Sequence, residues 1–489
     1  MKTRLTLLFS SVITLASLNA QEITISENVG SGEVYWTSEN TYLLDGGVYV
    51  NDGTTLHIAP GTIIKGMPGQ TESASFLCVA KGGKIIAEGT EESPIIFTFE
   101  ADPLDGSTPL TTRGQWGGLI VLGNASLNST PGVSSIEGIP TSETRGQYGG
   151  DNDSDNSGVL RYISIRHGGT EIGAGNEING LTLGGVGSET IIDNVEVIAN
   201  NDDGIEFFGG TVSVTHAFVS ACGDDSFDYD EGWRGQLNSH WVAIAASDDG
   251  DRGGEHDGGT DPETAQPYAT PIIDSAIFIG RGVDAGKRTI TFRDNAGGHY
   301  SNSIFYNFAK GIDIEDLEGE TEDSYSRLLN GELTFTNNIV DCGSNIFVTS
   351  SGEDLSEYFE LNGNQSSTEH GMVWNENEVY MNNNSNWANW TLAVESGWVK
   401  IGTPDVSISE TEKVVSVIYP NPIVNNSINI SFKEPQKGAC SISNSLGQIT
   451  QYILIDGNQL KINNLIERGI YFLKIELNSG QVINEVLIK

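Results

Sequence analysis

The chain has 489 residues, 37% of them apolar, enough for a large core and for more than one domain. It carries 66 acidic against 25 basic residues, a formal charge of −41, which argues against nucleic acid or an anionic bilayer as a natural partner. The same bias suits an exported protein that binds cations or meets neutral or basic ligands, and halophilic adaptation would also produce it.

Met1–Ala20 reads as a secretory signal peptide: Lys2 and Arg4 precede the apolar run Leu5–Ala16, and Ala20 is a small residue at the cleavage point. That run is too short to anchor the chain in a bilayer, and no later stretch approaches 18 apolar residues. The expectation is an exported protein with no membrane segment in the mature chain.

From residue 21 onward, short alternating strands are separated by Gly- and Asn-rich turns. Tyr42–Val50, Thr55–Ile58 and Thr62–Lys65 come first, with Glu33–Thr41 expected to cap the open end. Ala74–Ala80, Lys84–Ala87, Pro94–Phe99 and Trp116–Leu122 follow. Residues 123–158 lose the alternation and read as a long surface excursion ending in Asp151-Asn152-Asp153-Ser154-Asp155. This run starts like an EF-hand loop but lacks its central Gly and closing Glu, leaving at most a looser calcium loop.

Strands resume at Leu160–Arg166 and recur to Asn345–Thr349. Within them ANNDDGIEFFGG and ACGDDSFDYDEG are two versions of one unit, with Asp202, Asp203 and Glu206 mapping onto Asp224, Asp225 and Asp228. Alternation puts Ile205 and Phe207 on one face and the acids on the other. Asp248 and Asp249 look like a third copy of the acidic pair, with Asp251 beyond. A repeat of 20–25 residues carrying short strands predicts an all-β solenoid, a parallel β-helix, over 21–403. Asp354–Leu361 has the look of a short helix. Trp374, Trp387, Trp390 and Trp398 form either a C-terminal cap or a carbohydrate-stacking platform. Cys78, Cys222, Cys342 and Cys440 lie too far apart for a metal knuckle and read as buried free thiols, with one distant disulfide the alternative.

Residues 404–413 are a polar linker. Residues 411–489 hold seven basic and six acidic groups, so nearly all the excess negative charge lies before them. Residues 414–489 read as a small sandwich of six or seven short strands, Ser427–Phe432 and Ala439–Ser443 among them. Tyr419-Pro420-Asn421-Pro422, the strand Ser441–Asn444 followed by Gly447-Gln448, and Gly469-Ile470-Tyr471-Phe472-Leu473-Lys474-Ile475 resemble the type A sorting domain of the Bacteroidetes type IX secretion system. That resemblance implies export through the type IX machinery, then release or attachment to surface lipopolysaccharide. Ile163–Gly169, Asn176–Leu183, Asp202–Gly210, Phe227–Gly232 and Asp251–Gly259 resemble secreted Bacteroidetes β-helix proteins of undefined activity. The resemblance implies a right-handed, pectate-lyase-like solenoid and no catalytic assignment.

Matching positions on successive coils stack about 4.8 Å apart. Two carboxylates at that distance repel by roughly 3 kcal/mol at an effective dielectric of 20. Either bound Ca²⁺ relieves this, held by Asp202, Asp203, Glu206, Asp224, Asp225, Asp228, Asp230, Asp248, Asp249 and Asp251, or Arg234, Arg252 and Arg281 pair with the face. The function expected is a calcium-stabilised, surface-displayed protein that binds or supports an extracellular glycan or polymer. The alternative is a calcium-dependent polysaccharide lyase or a glycoside hydrolase, drawing on Arg166, His167, His240, Arg252, Glu255, His256 and Asp257.

Overall fold

Three parallel ladders of short strands wind around one apolar interior in a computed structural model of the chain. It describes residues 21–488 apart from 174–175, 260–261, 321, 376–377, 403–414, 425, 445–447, 464–469 and 479–481. Met1–Ala20 and the whole linker 404–413 lie outside the described residues.

The solenoid is the right-handed parallel β-helix expected. The first face runs from Ile63–Gly66 through Ile95–Phe99 to Ile277–Ile279 and Ile339–Asp341. The second stacks Phe76–Val79, Leu119–Leu122, Leu181–Gly184, Ile205–Phe208, Phe227–Asp230, Gly254–Asp257, Arg288–Arg293 and Lys310–Ile314. The third carries Thr55–Ile58, Lys84–Glu88, Ile272–Asp274 and Leu333–Thr336. Four long strands, among them Ile191–Ile198 and Ser213–Ser220, bend from the third face into the first. A single left-handed residue makes each bend, Tyr162, Asn194, His216 and His240, and Ser275 makes the same turn between Ile272–Asp274 and Ile277–Ile279; all five have φ of 48–59°. Asparagine tolerates that conformation, which accounts for Asn194.

Alternation along the second face sends Leu181, Leu183, Ile205, Phe207, Phe227 and Tyr229 inward, where all are buried. Their rings stack up the axis. Phe227 lies 4.3 Å from Trp241 and Tyr229 4.1 Å from His256. Such pairs add about 0.5–1.5 kcal/mol each beyond burial. Asparagines also stack: Asn364 Oδ1 accepts from Asn338 N (2.9 Å), and Asn338 Oδ1 accepts from Ser303 N (2.8 Å).

Both ends differ from the sequence reading. Glu33–Trp36 is not a cap but the first strand of the third face, and Gln21–Asn28 pairs with the strand Asn40–Val50. At the far end, helix Ser356–Leu361 closes the stack by packing Phe359 against Phe347. The tryptophan-rich segment does not cap that end. It folds back along the outside of the first face, where Trp387 meets Phe218 and Trp390 meets Tyr162. The buried Glu196 carboxylate holds it there, accepting from Leu392 N and Ala393 N at 3.0 Å and from Ser164 Oγ at 2.5 Å.

The excursion 123–158 likewise lies along the second face. Leu127, Ile136, Ile139 and Tyr148 cover the outward-facing Tyr49, Phe76, Ile120 and Phe208. Its acidic tip serves as a clasp, not an open loop. Asp153 accepts from Ser126 Oγ (2.6 Å) and pairs with Arg234, and Asp155 accepts from Asn124 N (3.1 Å). All four cysteines are free thiols, and only Cys342 is partly exposed.

The chain divides into two compact units, residues 1–404 and 405–489. The second is antiparallel, with five strands among the described residues where six or seven shorter ones were expected. Ser427–Asn444 is a single strand where the sequence suggested two. One half of it pairs with Val415–Val424 and the other with Ile470–Leu477. Ile430 and Phe432 from one half and Cys440 and Ile442 from the other share one small core, giving a sandwich-like tail.

Candidate metal centre

Asn200–Gly204 forms the tight turn that enters the second face. Asn200 Nδ2 shapes it by donating to Ile178 O (3.1 Å) and Asp203 O (2.8 Å). Gly204 is required there because a Cβ would come within 2.2 Å of Val219 Cγ1. The turn delivers Asp202 and Asp203 to the edge of the strand Ile205–Phe208, where Glu206 faces outward. One coil on, Glu206 pairs in register with Asp228, and Asp228 with Glu255.

The carboxylate oxygens of Asp203, Glu206 and Asp228 lie within 4.8 Å of one another, as do those of Asp202, Asp203 and Asp224. Burial raises the pKa of Asp202 to about 7, with repulsion from Glu177, Asp224 and Glu137 adding to it. Burial and then the neighbouring acids hold Asp203, Glu206 and Asp228 well above the ordinary carboxylate range. Asp228 Oδ1 is buried with no hydrogen-bond partner. Glu206 accepts from the Asn179 amide. Among the described residues no ion pair reaches Asp202, Asp203, Glu206 or Asp228.

One coil further, arginine takes over. Arg252 Nη1 lies 2.9 Å from Asp251, 3.1 Å from Glu255 and 3.3 Å from Asp225, while Arg293 holds Asp257 at 2.6 Å. Burial nevertheless leaves Asp257 at about 7. Arginine pairing, one of the two expected answers to the repulsion, is therefore present on this face, while the coils before it carry their acids without it among the described residues. There is a third answer the sequence did not suggest. Asp203 Oδ1 accepts from Asp225 N (2.8 Å), and Asp225 Oδ1 accepts from Arg252 N (2.5 Å). These turn aspartates stitch successive coils through backbone amides.

Asp251 and Arg252 thus stand at the third step of the repeat, displacing Asp248 and Asp249 from it. Asp248 is tied instead to Arg113 by two bonds of 3.0 Å, and Asp249 is exposed on the loop. Asp230 Oδ1 accepts from Glu231 N. Arg234 pairs with Asp153, away from the ladder, and Arg281 Nε is buried without a partner. Glu137 reaches the acids from the excursion 123–158, where no repeat spacing could reveal it, and Glu177 from the small hairpin of Glu171–Gly173 and Asn176–Glu177 about one coil before Asp202.

The proposed bases are scattered. His256 points into the core, stacked between Tyr229 and Tyr300. Its Nε2 lies 2.7 Å from Tyr300 Oη, and burial lowers its pKa to about 3. It does not belong to an outward cluster with Glu255 and Asp257. His167 is buried at a corner with Nδ1 2.7 Å from Thr112 O, and Arg166 Nε donates to Ser164 Oγ (2.7 Å). His240 stacks on His216 at the bend between the third and first faces, and burial lowers its pKa.

The pectate-lyase-like β-helix domain model matches residues 27–394. The chain belongs to that family. Residues 417–489 match the secretion system C-terminal sorting domain, so this β-helix protein is a type IX secretion substrate, secreted or held at the cell surface. Of the sorting residues, Tyr471 is buried and Lys474 pairs with Glu476 at 2.8 Å. Tyr419, Pro420, Asn421 and Pro422 fall within the strand Val415–Val424, whereas Gly447 and Gly469 lie outside the described residues. No described helix is long and apolar enough to cross a membrane.

No curated protein matches the β-helix chain. Among solved structures it is similar to tailspike protein 2 of the Escherichia coli O157:H7 bacteriophage CAB120, at 10% identity over 92% of this chain and a TM-score of 0.24. It spans 64% of that tailspike's length. It is also similar to the enzymatically active domain of bacteriophage CBA120 tailspike protein 2, at 8% identity over 91% of this chain and 72% of that one, with a TM-score of 0.15. Likeness at these scores carries no argument.

Proposed function

We propose that the protein is a secreted, surface-displayed β-helix whose second face is stabilised by calcium and which binds an extracellular glycan or polymer. The observation that supports the metal is the Asp203–Glu206–Asp228 group, three carboxylates on two coils with converging oxygens and no basic partner. A donor set of oxygens alone, without His or Cys, suits a hard cation of Ca²⁺ type. Asn179 sits beside Glu206 and adds a neutral amide. With protons or a cation on the group, the like charges of the stacked coils cease to oppose one another.

A lyase is the weaker reading. The core position of His256 and the ion pairs of Arg252 remove its two best-placed bases. Calorimetric titration of the secreted protein with CaCl₂, beside Asp203→Asn/Asp228→Asn, tests the metal. Heat and a raised melting temperature are expected for the wild type and neither for the variant. Silence from the wild type at pH 8 overturns the calcium assignment.

A further inference from the structure

The outside of the first face carries a groove of about 460 Å³ among Gly106–Thr111, Ala246–Asp248 and the segment Leu392–Trp398. We infer that this groove binds a neutral oligosaccharide, with the Trp398 indole as the platform for a sugar ring. The inference rests on the glycan-binding reading above and gives that reading a place and a ligand class.

Three features carry it. The volume lies in the range of small-ligand sites. Its apolar wall is Trp398, Leu110 and Leu392, the partly buried margin of the cluster formed where the tryptophan-rich segment packs on the solenoid. An indole face offers a flat apolar surface to the C–H face of a pyranose. The rest of the lining includes hydroxyls. Those of Thr111 and Ser247 make no hydrogen bond to the protein among the described residues, so a ligand's hydroxyls would meet free partners.

The charge decides the ligand class. Among the described residues Asp248 is the only ionisable one lining the groove, and both its oxygens are taken by Arg113, whose Nε also donates to Ala221 O (2.7 Å). No cation is left for a uronate or sulfate, and a chain of net charge −41 repels polyanions. The walls are also held before any ligand arrives. Glu196 fixes the start of Leu392–Glu395, and the Arg113–Asp248 pair fixes the loop opposite. Preorganised walls leave less ordering to be done on binding.

The test is calorimetric titration of the full secreted protein with cellohexaose, xylohexaose, mannohexaose and maltohexaose, with tryptophan fluorescence followed in parallel. The same titrations are made on Trp398→Leu and on Ser247→Trp, which fills the groove from an exposed position. At least one hexaose should bind and perturb the fluorescence. Both variants should lose affinity tenfold or more, and Ser247→Trp should do so at an unchanged melting temperature. Binding that survives both substitutions overturns the groove while sparing the wider glycan reading. Silence of the wild type toward all four overturns the neutral-glycan assignment, and silence toward alginate and pectin as well would sink glycan binding as a whole.

Discussion

Glu206 and Asp228 are direct neighbours across two coils, paired in register although 22 residues apart, and neither has a basic partner among the described residues. Two acids so placed gain stability from a proton or a cation and lose it when both are bare. Removing one charge should therefore help the metal-free protein. Asp228→Asn is expected to raise the metal-free melting temperature at pH 8 by about 2–4 °C, the equivalent of roughly 1 kcal/mol. It should also abolish the calcium-induced rise. Differential scanning calorimetry with and without chelator reads both.

The pH dependence has a defined sign. Asp202, Asp203, Glu206 and Asp228 hold protons more tightly folded than unfolded, Asp202 with a pKa of about 7. Between the unfolded carboxylate range, about 4, and that value the folded state carries the extra protons. Their contribution to metal-free stability is full below that window and falls as pH rises through it. Calcium competes with the same protons, so its stabilisation should be larger at pH 8 than at pH 5. The difference between wild type and Asp203→Asn/Asp228→Asn across pH 4–8 isolates these groups, and a flat difference would exclude them.

On the next coil, Arg252 supplies the positive charge that a cation would supply to the ladder below. Arg252→Ala leaves Asp225, Asp251 and Glu255 facing one another and should cost about 1–3 kcal/mol, reduced because the guanidinium is partly exposed. Calcium should restore some of the loss, because the vacated carboxylates form an oxygen set like the one below. Denaturant midpoints with and without 5 mM CaCl₂ measure it.

His256 should prove structural. His256→Phe keeps the ring in the interior stack and loses the contact with Tyr300 Oη, at a cost of about 1 kcal/mol. It should leave calcium and glycan binding unchanged. Loss of any polymer-cleaving activity in a correctly folded His256→Phe protein would restore the lyase reading.

Glu196→Ala should loosen the segment that walls the sugar groove, at a cost of about 1–3 kcal/mol for the buried donors left unpaired. Amide exchange at Leu392 and Ala393 should accelerate well before the solenoid unfolds. Equal protection in both proteins would show that the segment does not depend on this carboxylate.

The sequence by itself determined the coil. Strict alternation in IEFF and FDYD, with acidic turns one coil apart, fixes which side chains face inward, because a strand one residue out of register would bury its acids. The same argument was enough to place Glu206 over Asp228. Only the tertiary structure decided what lies around the ladder. The coil after Asp228 is lengthened by an insertion, which moved the third step from Asp248 to Asp251 and turned His256 inward. Glu137 and the Trp398 segment reach the solenoid from outside the repeat. Periodicity reports which face of a strand a residue occupies, whereas the path of a long loop is set by packing against surfaces that are remote in the chain.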